Sequence, residues 1–310
     1  IFSFKWLVRA WLKSFVVMAW IGIIQLILWH GFKINFINQQ PGRISGFCYE
    51  PSYYATYMIM GFVSFAYMLI KKNYSVFSYR ELKHNFRMVA LAMLLSTSRM
   101  GFIMMFLWYC VALWLDERDR GIFSFKKLLK FFRLMIFGVI MFFVLLVMQF
   151  VYNTDLLGGL GFEGHASHSR DDRFRGQMAN INLFLKSPLI GYSLGGVDPA
   201  NVQAMGRRSY NMEHGTTTNV WAEMLAASGI IGIIPLILYF MELLFSRGSP
   251  DKNKRQVIKA LQWGLFFGML ILGMNQNILR PYFWWHIAIL SACYKHNRKT
   301  FLESCKIKKL

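Results

Sequence analysis

Eight long apolar runs, each bounded by polar residues, limit most strongly what this chain can fold into. A helix needs about 20 apolar residues to cross a bilayer, and fewer where an end is buried in protein. In hydrocarbon, a helix satisfies its own backbone polar groups, whereas an open sheet does not. We therefore predict an all-α integral membrane protein whose 310 residues form a single polytopic domain. The predicted spans are 15–32, 54–70, 86–97, 102–115, 134–152, 220–245, 261–278 and 282–294.

The composition agrees with a membrane protein. Only 16% of the residues are charged, whereas about a quarter are charged in soluble domains. The net charge of +20 is dispersed between apolar runs, a pattern typical of membrane topology and poor evidence for nucleic-acid binding. The chain begins at Ile1 without a signal-peptide cleavage pattern, so we expect part of the N-terminus to be missing.

The distribution of basic residues predicts the orientation of the spans. Most of the 35 lysines and arginines fall on one side, together with both chain ends, and the positive-inside rule makes that side cytoplasmic. The opposite side holds two lysines and eight arginines, a bias that the rule does not explain. Arginine near membrane depth costs about 2.5–3.5 kcal/mol on insertion scales, so it normally marks a partner or a pathway. These arginines are Arg43, Arg99, Arg170, Arg173, Arg175, Arg207, Arg208 and Arg280.

The interval 153–218 is the longest polar segment between apolar runs, and we expect it to be a periplasmic loop with short helices. Within it, Arg170, Arg173 and Arg175 precede an apolar, helical stretch that ends before Pro188. A guanidinium fits phosphate oxygens two at a time, so clustered arginines suggest a phosphate-bearing ligand. The structural alternative is a solvated loop in which these arginines pair with Asp171 and Asp172.

Four short outward-facing motifs follow in a fixed order. The first motif is GRISG at residues 42–46, followed by a Glu-Pro-Ser that begins at Glu50, and the second is Ser98-Arg99 at a hairpin tip. The third is Arg173, fifteen residues before a PLIG at 188–191. The fourth is Asn219, ten residues before a GIIG at 229–232. Their order and spacing resemble the bacterial O-antigen polymerase and ligase family, the Wzy/WaaL type of lipid-linked polysaccharide transferase. The resemblance covers roughly 43–232 and the closing hairpin.

The resemblance implies a GT-C-like enzyme of the bacterial inner membrane, with an active site that faces the periplasm and includes 153–218. It would move a glycan from an undecaprenyl diphosphate carrier to an acceptor hydroxyl, without a metal, cofactor or nucleotide-sugar donor. By match to the motifs, Arg43, Arg99 and Arg173 would bind the diphosphate, with Arg170 and Arg175 as further candidates. Expected partners are the glycan donor and acceptor, membrane lipid and a chain-length regulator protein. The structural alternative for Arg99 is a helix-end residue that reaches toward the interface.

Three positions are candidates for the base or its support. Glu50, at a helix start, would deprotonate or orient the acceptor hydroxyl, or would balance the helix dipole and pair with Arg43. Ligases are expected to carry His directly before Asn219, where this chain has Thr218; His214, four residues upstream, is the other base candidate. This departure favours a polymerase over a ligase. Glu223 shares a helix face with Asn219 and is a third acidic candidate, more typical of a buried hydrogen-bond network.

Two other hypotheses, a metal site and a transporter, have less support in the sequence. His165 and His168 have helical spacing but few potential co-ligands, so we predict no metal site. A transporter or flippase for lipid-linked sugars would need charges along a path through the bilayer and paired broken helices. The intramembrane charges here cluster at the outer face instead, and the sequence shows no half-to-half symmetry.

Overall fold

A computed structural model describes residues 3–37, 42–48, 50–116, 165–193, 195–197, 219–246, 249–275 and 280–307. Every long regular element in these ranges is an α-helix, which confirms the predicted all-helical class. We number the helices in chain order: α1 Phe4–Phe32, α2 Pro51–Ile70, α3 Tyr79–Leu95, α4 Arg99–Asp116, α5 His165–Lys186, α6 Val220–Phe245, α7 Lys252–Asn275 and α8 Pro281–Ile307. The predicted span 134–152 and the candidate base His214 lie outside the described residues.

Helix α2 is the centre of the bundle. It packs against α1, α3, α4 and α7, and sixteen of its twenty residues are buried. The α2–α7 contact is close because Gly264 of α7 lies against the backbone of Met60, while the Ser64 hydroxyl donates to the carbonyl oxygens of Met60 and Ala260. Small residues and interhelical hydrogen bonds are the usual means of packing helices in lipid.

Among the described residues, four helices are long and apolar enough to cross a membrane: α1, α2, α6 and most of α7. Helix α4 is a shorter apolar helix over Arg99–Leu115. These helices confirm an integral membrane protein. The count of eight spans is not tested, because one of them lies outside the described part of the chain.

Helix α3 begins earlier than predicted. The sequence predicts a span at 86–97, whereas the helix already starts at Tyr79, where the Ser78 hydroxyl caps it by accepting from the Glu81 backbone N–H at 3.3 Å. The polar first half packs beside the start of α1, where Glu81 pairs with both Arg9 and Lys13 at 2.8 Å. The length of the apolar run therefore underestimates the length of this helix, because a search for apolar residues does not detect its polar half.

About the last three turns of helix α1 extend past the place where the following loop packs against the helix. After Phe32 the chain turns back, and Ile44 packs against Gly22 while Gly46 packs against Met18. Ten residues separate Gly22 from the end of α1, which at 1.5 Å per residue places the loop about 15 Å below that end. Apolar side chains on this last part of α1 are half-buried or exposed, including Ile27 at 58% exposure. Such a surface is stable in hydrocarbon, as expected of a helix that crosses a membrane.

Candidate functional site

Residues 42–48, which we call the arginine loop, are held in place by one buried glutamine of α1. Gln25 is 4% exposed, and its amide nitrogen donates to the carbonyl oxygens of Phe36 and Gly46, both at 2.7 Å. Its amide oxygen accepts from the backbone N–H groups of Ser45 and Gly46, at 3.3 and 2.8 Å. One side chain thus satisfies three backbone groups of the loop and one of the segment before it. Gln25 is not among the site residues predicted from the sequence, although a lone glutamine within an apolar run is a usable signal.

Arg43 connects this loop to the tip of the α3–α4 hairpin. Its Nε donates to the Thr97 Oγ1 at 2.6 Å and to the Ser96 carbonyl at 3.2 Å, and Nη2 donates to the Thr97 carbonyl at 2.9 Å. Thr97 has a positive φ of 50°, which is unusual for a β-branched residue, and these bonds help to hold it there. Arg43 therefore supports the turn that presents the next arginine.

Arg99 is the first residue of α4 and interacts electrostatically with Arg43. Burial lowers the pKa of the Arg43 guanidinium to about 10, Glu50 opposes this shift, and Arg99 adds to it. Arg43 therefore keeps its charge at neutral pH. Two like charges in one place, one of them at a helix N-terminus where a cation is unfavourable, are electrostatically costly. An anion bound beside them would remove that cost.

Glu50 is the acidic group of this cluster, and it precedes α2 at the N-cap position. Pro51 occupies the first helical position, as predicted, and Glu50 accepts a hydrogen bond from the Ser52 hydroxyl at 2.7 Å. The structure thus brings Arg43, Arg99 and Glu50 into one electrostatic cluster, although 56 residues separate Arg43 from Arg99 in the sequence.

Arg170, Arg173 and Arg175 lie on α5, of which only the backbone is described at those positions. Helix α5 spans 22 residues and packs against α6. Its buried positions Gly176, Asn180 and Leu183 form a stripe at helical spacing, and the Cα of Arg173 continues that stripe toward the N-terminus. The Cα atom of Arg170 lies three residues before it on the same face, whereas that of Arg175 lies nearly opposite.

The PLIG and GIIG motifs meet in what we call the backbone joint, formed by residues 188–193 against 226–231. Four hydrogen bonds between backbone groups connect the two segments, at 2.8–3.1 Å: Tyr192 N–H to Ala226 O, Ser193 N–H to Ala227 O, Ile230 N–H to Pro188 O and Ile231 N–H to Leu189 O.

The glycines of the joint explain why it can form. Gly229 interrupts the helical backbone of α6 with a φ of 58°, and Gly191 has a φ of 69°. A Cβ atom on Gly191 would lie 2.5 Å from the carbonyl carbon of Ala227, and one on Gly229 would overlap the Leu189 backbone. These two motifs are thus a structural connection that fixes α5 to α6.

Asn219 caps α6. Its side-chain oxygen accepts from the backbone N–H groups of Trp221 and Ala222, at 3.0 and 3.2 Å, which is the usual role of asparagine at a helix start. Glu223 lies one turn further along and is 5% exposed. The described residues contain no group of three or more potential metal ligands from His, Cys, Asp and Glu.

Comparison with known protein families gives a match over the middle of the chain. The sequence model of a family described as O-antigen ligase matches residues 85–237, from α3 through the α3–α4 hairpin and the backbone joint to the middle of α6. A search of curated proteins finds no match for the chain. The matched segment includes Arg99, Arg173, Asn219 and both glycine motifs, whereas Arg43 and Glu50 precede it.

Proposed function

Because the sequence model of a family described as O-antigen ligase matches residues 85–237, we propose that this chain polymerises undecaprenyl-diphosphate-linked oligosaccharide repeat units at the periplasmic face of the bacterial inner membrane. Lipid-linked polysaccharide transfer is the activity that the family supports. The polymer would be O-antigen, capsule or exopolysaccharide. The repeat-unit acceptor and the arginine-assisted leaving group are the finer parts of the proposal.

The observation that carries this proposal is the cluster of Arg43, Arg99 and Glu50. When the sugar–phosphate bond breaks, its electron pair leaves with the diphosphate, which gains negative charge. Guanidinium groups already in position stabilise that charge as it develops, most strongly in a site shielded from water. The depth of the arginine loop below the end of α1 supplies such a setting.

The acceptor supplies the new bond. Its hydroxyl oxygen attacks the anomeric carbon while the diphosphate departs, and its proton passes to a base, for which Glu50 and His214 are the candidates. Glu50 lies within electrostatic range of Arg43, whereas His214 lies outside the described residues. In this proposal Arg173 approaches the diphosphate from α5, which the backbone joint holds against α6, and Arg170 is a further contact on the same face.

The first experiment tests the leaving-group site. Arg99→Ala and Arg173→Ala strains should lose lipid-linked polymer ladders while the protein level in the membrane stays unchanged. Lys33→Ala, which removes an exposed outer cation outside the cluster, is the matched control and should leave the ladders intact. Normal ladders in both arginine variants would refute the proposal.

A second experiment separates enzyme from transporter. The purified protein, reconstituted with lipid-linked repeat units, should form new glycosidic linkages in detergent, where there is no membrane to cross. If lipids change leaflet in vesicles and no linkage forms in either setting, the chain is a transporter.

The alternative within the family is a ligase that joins finished polymer to a lipid or protein acceptor, and the family description favours it. The residue before Asn219 argues the other way, because it is Thr218 rather than the expected histidine. The acceptor found in the reconstituted product decides between them: a second lipid-linked repeat indicates a polymerase, and a different acceptor indicates a ligase.

A further inference from the structure

A cavity of about 480 Å³ lies on the other side of the arginine loop, between α1, the start of α2 and the start of α8. Arg43 faces the α3–α4 hairpin, whereas Cys48 at the opposite end of the loop lines this cavity. The volume falls within the range of about 300–1,000 Å³ that is usual for ligand sites. The cavity therefore lies at the opposite end of the loop from Arg43, next to the segment that carries Glu50.

Arg280 is the cation of this cavity. Its guanidinium carbon lies 3.6 Å from the centre of the Tyr53 ring, a close cation–π contact. Its Nε is buried and, within the described part of the chain, makes no hydrogen bond. Stacking on an aromatic ring fixes the plane of the guanidinium and leaves its edge for an oxygen-rich anion.

The cavity walls are aromatic, and several of their polar atoms are already bonded. The Trp11 Nε1 donates to the His286 Nδ1 at 3.0 Å, and the Ser14 and Tyr57 hydroxyls bond to each other at 2.7 Å. What remains for a ligand is mainly ring faces, on Trp11, Phe47, Tyr57 and Trp285. A sugar would find few partners there, whereas a hydrocarbon chain needs none.

The shape of the cavity also suits a chain. Along α1 its lining extends from Trp11 to Met18, two helical turns or about 10 Å. Arg280 lies at the end formed by the start of α8, and Phe47 and Trp285 are 56% and 62% exposed. The cavity therefore combines a cationic end with an apolar shaft that opens at the protein surface.

We propose that this cavity binds one anionic lipid with a phosphate-bearing head group, with the phosphate on Arg280 and a hydrocarbon chain along the aromatic shaft. Lipid binding in this cavity would not require the transfer reaction proposed above. The same chemistry is present in an anionic phospholipid and in a polyprenyl phosphate, and the experiment distinguishes them.

Native mass spectrometry of the detergent-purified full chain measures the lipid that each variant retains. Phosphatidylglycerol, phosphatidylcholine and polyprenyl phosphate are added separately. We expect one retained molecule of an anionic lipid, about tenfold weaker retention in Arg280→Gln, and only partial recovery in Arg280→Lys, which keeps the charge but not the planar guanidinium. The control is Lys33→Gln, which removes an outer cation that lies 5.7 Å over Trp29, outside the cavity. The anionic lipid that is retained better identifies the source.

Cys48 provides a second measurement, because it lines the cavity. In a variant that keeps only this cysteine, through Cys110→Ala, Cys293→Ala and Cys305→Ala, the retained lipid should slow maleimide labelling several-fold. Arg280→Gln should remove that protection. Equal retention of phosphatidylcholine, retention that is the same in Arg280→Gln and Lys33→Gln, or unprotected Cys48 would overturn the proposal.

Discussion

The arginine loop and the backbone joint both connect distant segments, but they do so with different bonds. In the loop, the side chains of Gln25 and Arg43 make the connections, to the loop backbone and to the α3–α4 turn. In the joint, backbone groups pair directly, and glycines allow the close approach. A connection made by side chains can hold charged groups beside a ligand site, whereas a connection made by the backbone fixes helices in place and contributes no chemistry.

The largest expected effect comes from breaking the joint. Gly229→Ala places a Cβ against the Leu189 backbone at a positive φ, and we expect it to lower the free energy of unfolding by about 2–5 kcal/mol, from backbone strain and overpacking together. Thermal unfolding in detergent measures the change. Gly195→Ala is the control, because a Cβ there meets nothing within 4 Å. Equal stability of the two variants would show that the joint is not a fixed connection.

Gln25→Leu breaks the loop instead. It leaves the buried N–H groups of Ser45 and Gly46 without their acceptor, which we expect to cost about 1–3 kcal/mol because the loop can shift to recover part of the loss. Hydrogen exchange should rise at residues 42–48 and stay unchanged at 188–193. Ile24→Leu, at the exposed neighbouring position, serves as the control. Faster exchange in both regions would mean that the loop and the joint are not independent.

Arg99→Gln separates stability from activity within the loop region. It removes a charge that repels Arg43 and opposes the dipole of α4, so we expect unchanged stability or a gain of up to about 1 kcal/mol. Transfer activity should be lost at the same time. A thermal unfolding midpoint that falls by several degrees would instead give Arg99 a structural role.

The smallest effect is a pH dependence that reports on the packing of the loop. Burial raises the pKa of the Cys48 thiol to about 12, and the nearby Arg280 only partly offsets this. Because the thiolate is the reactive form, labelling of a single-cysteine variant should keep rising, roughly tenfold per pH unit, through pH 10. Gln25→Leu should shift this curve to lower pH. If the labelling rate of the single-cysteine variant without Gln25→Leu instead levels off near pH 9, the loop is exposed.

Local signals in the sequence predicted several features well. Helix α2 begins at Pro51, the α3–α4 turn lies at residues 96–98 with Arg99 opening α4, and Asn219 stands at the start of α6. Each is specified by one or two neighbouring residues, through proline and capping preferences. The family match confirms the resemblance that these motifs indicated, without deciding between polymerase and ligase. The proposed roles of the site residues stay predictions.

Features that depend on distant partners were not predictable in this way. Gln25 bonds to residues 20 and 21 positions later, and nothing near it in the sequence specifies them. The joint forms through backbone groups, which every residue has, so its motifs indicated glycine and proline positions but not their partner. The aromatic cavity combines four separate segments, and Arg280 entered the sequence analysis only as one of eight outer arginines.

Because α1 extends beyond the arginine loop, bilayer thickness should affect the proposed transfer reaction. Arg43 is tied to the middle of this helix through the loop that Gln25 holds, so its depth is set relative to the protein and not to the lipid. A membrane that covers the whole apolar length of α1 requires a polar head group to descend to reach the arginines, whereas a thinner one leaves them nearer to water. Measuring the transfer rate after reconstitution in lipids of graded acyl length would test this effect of bilayer thickness.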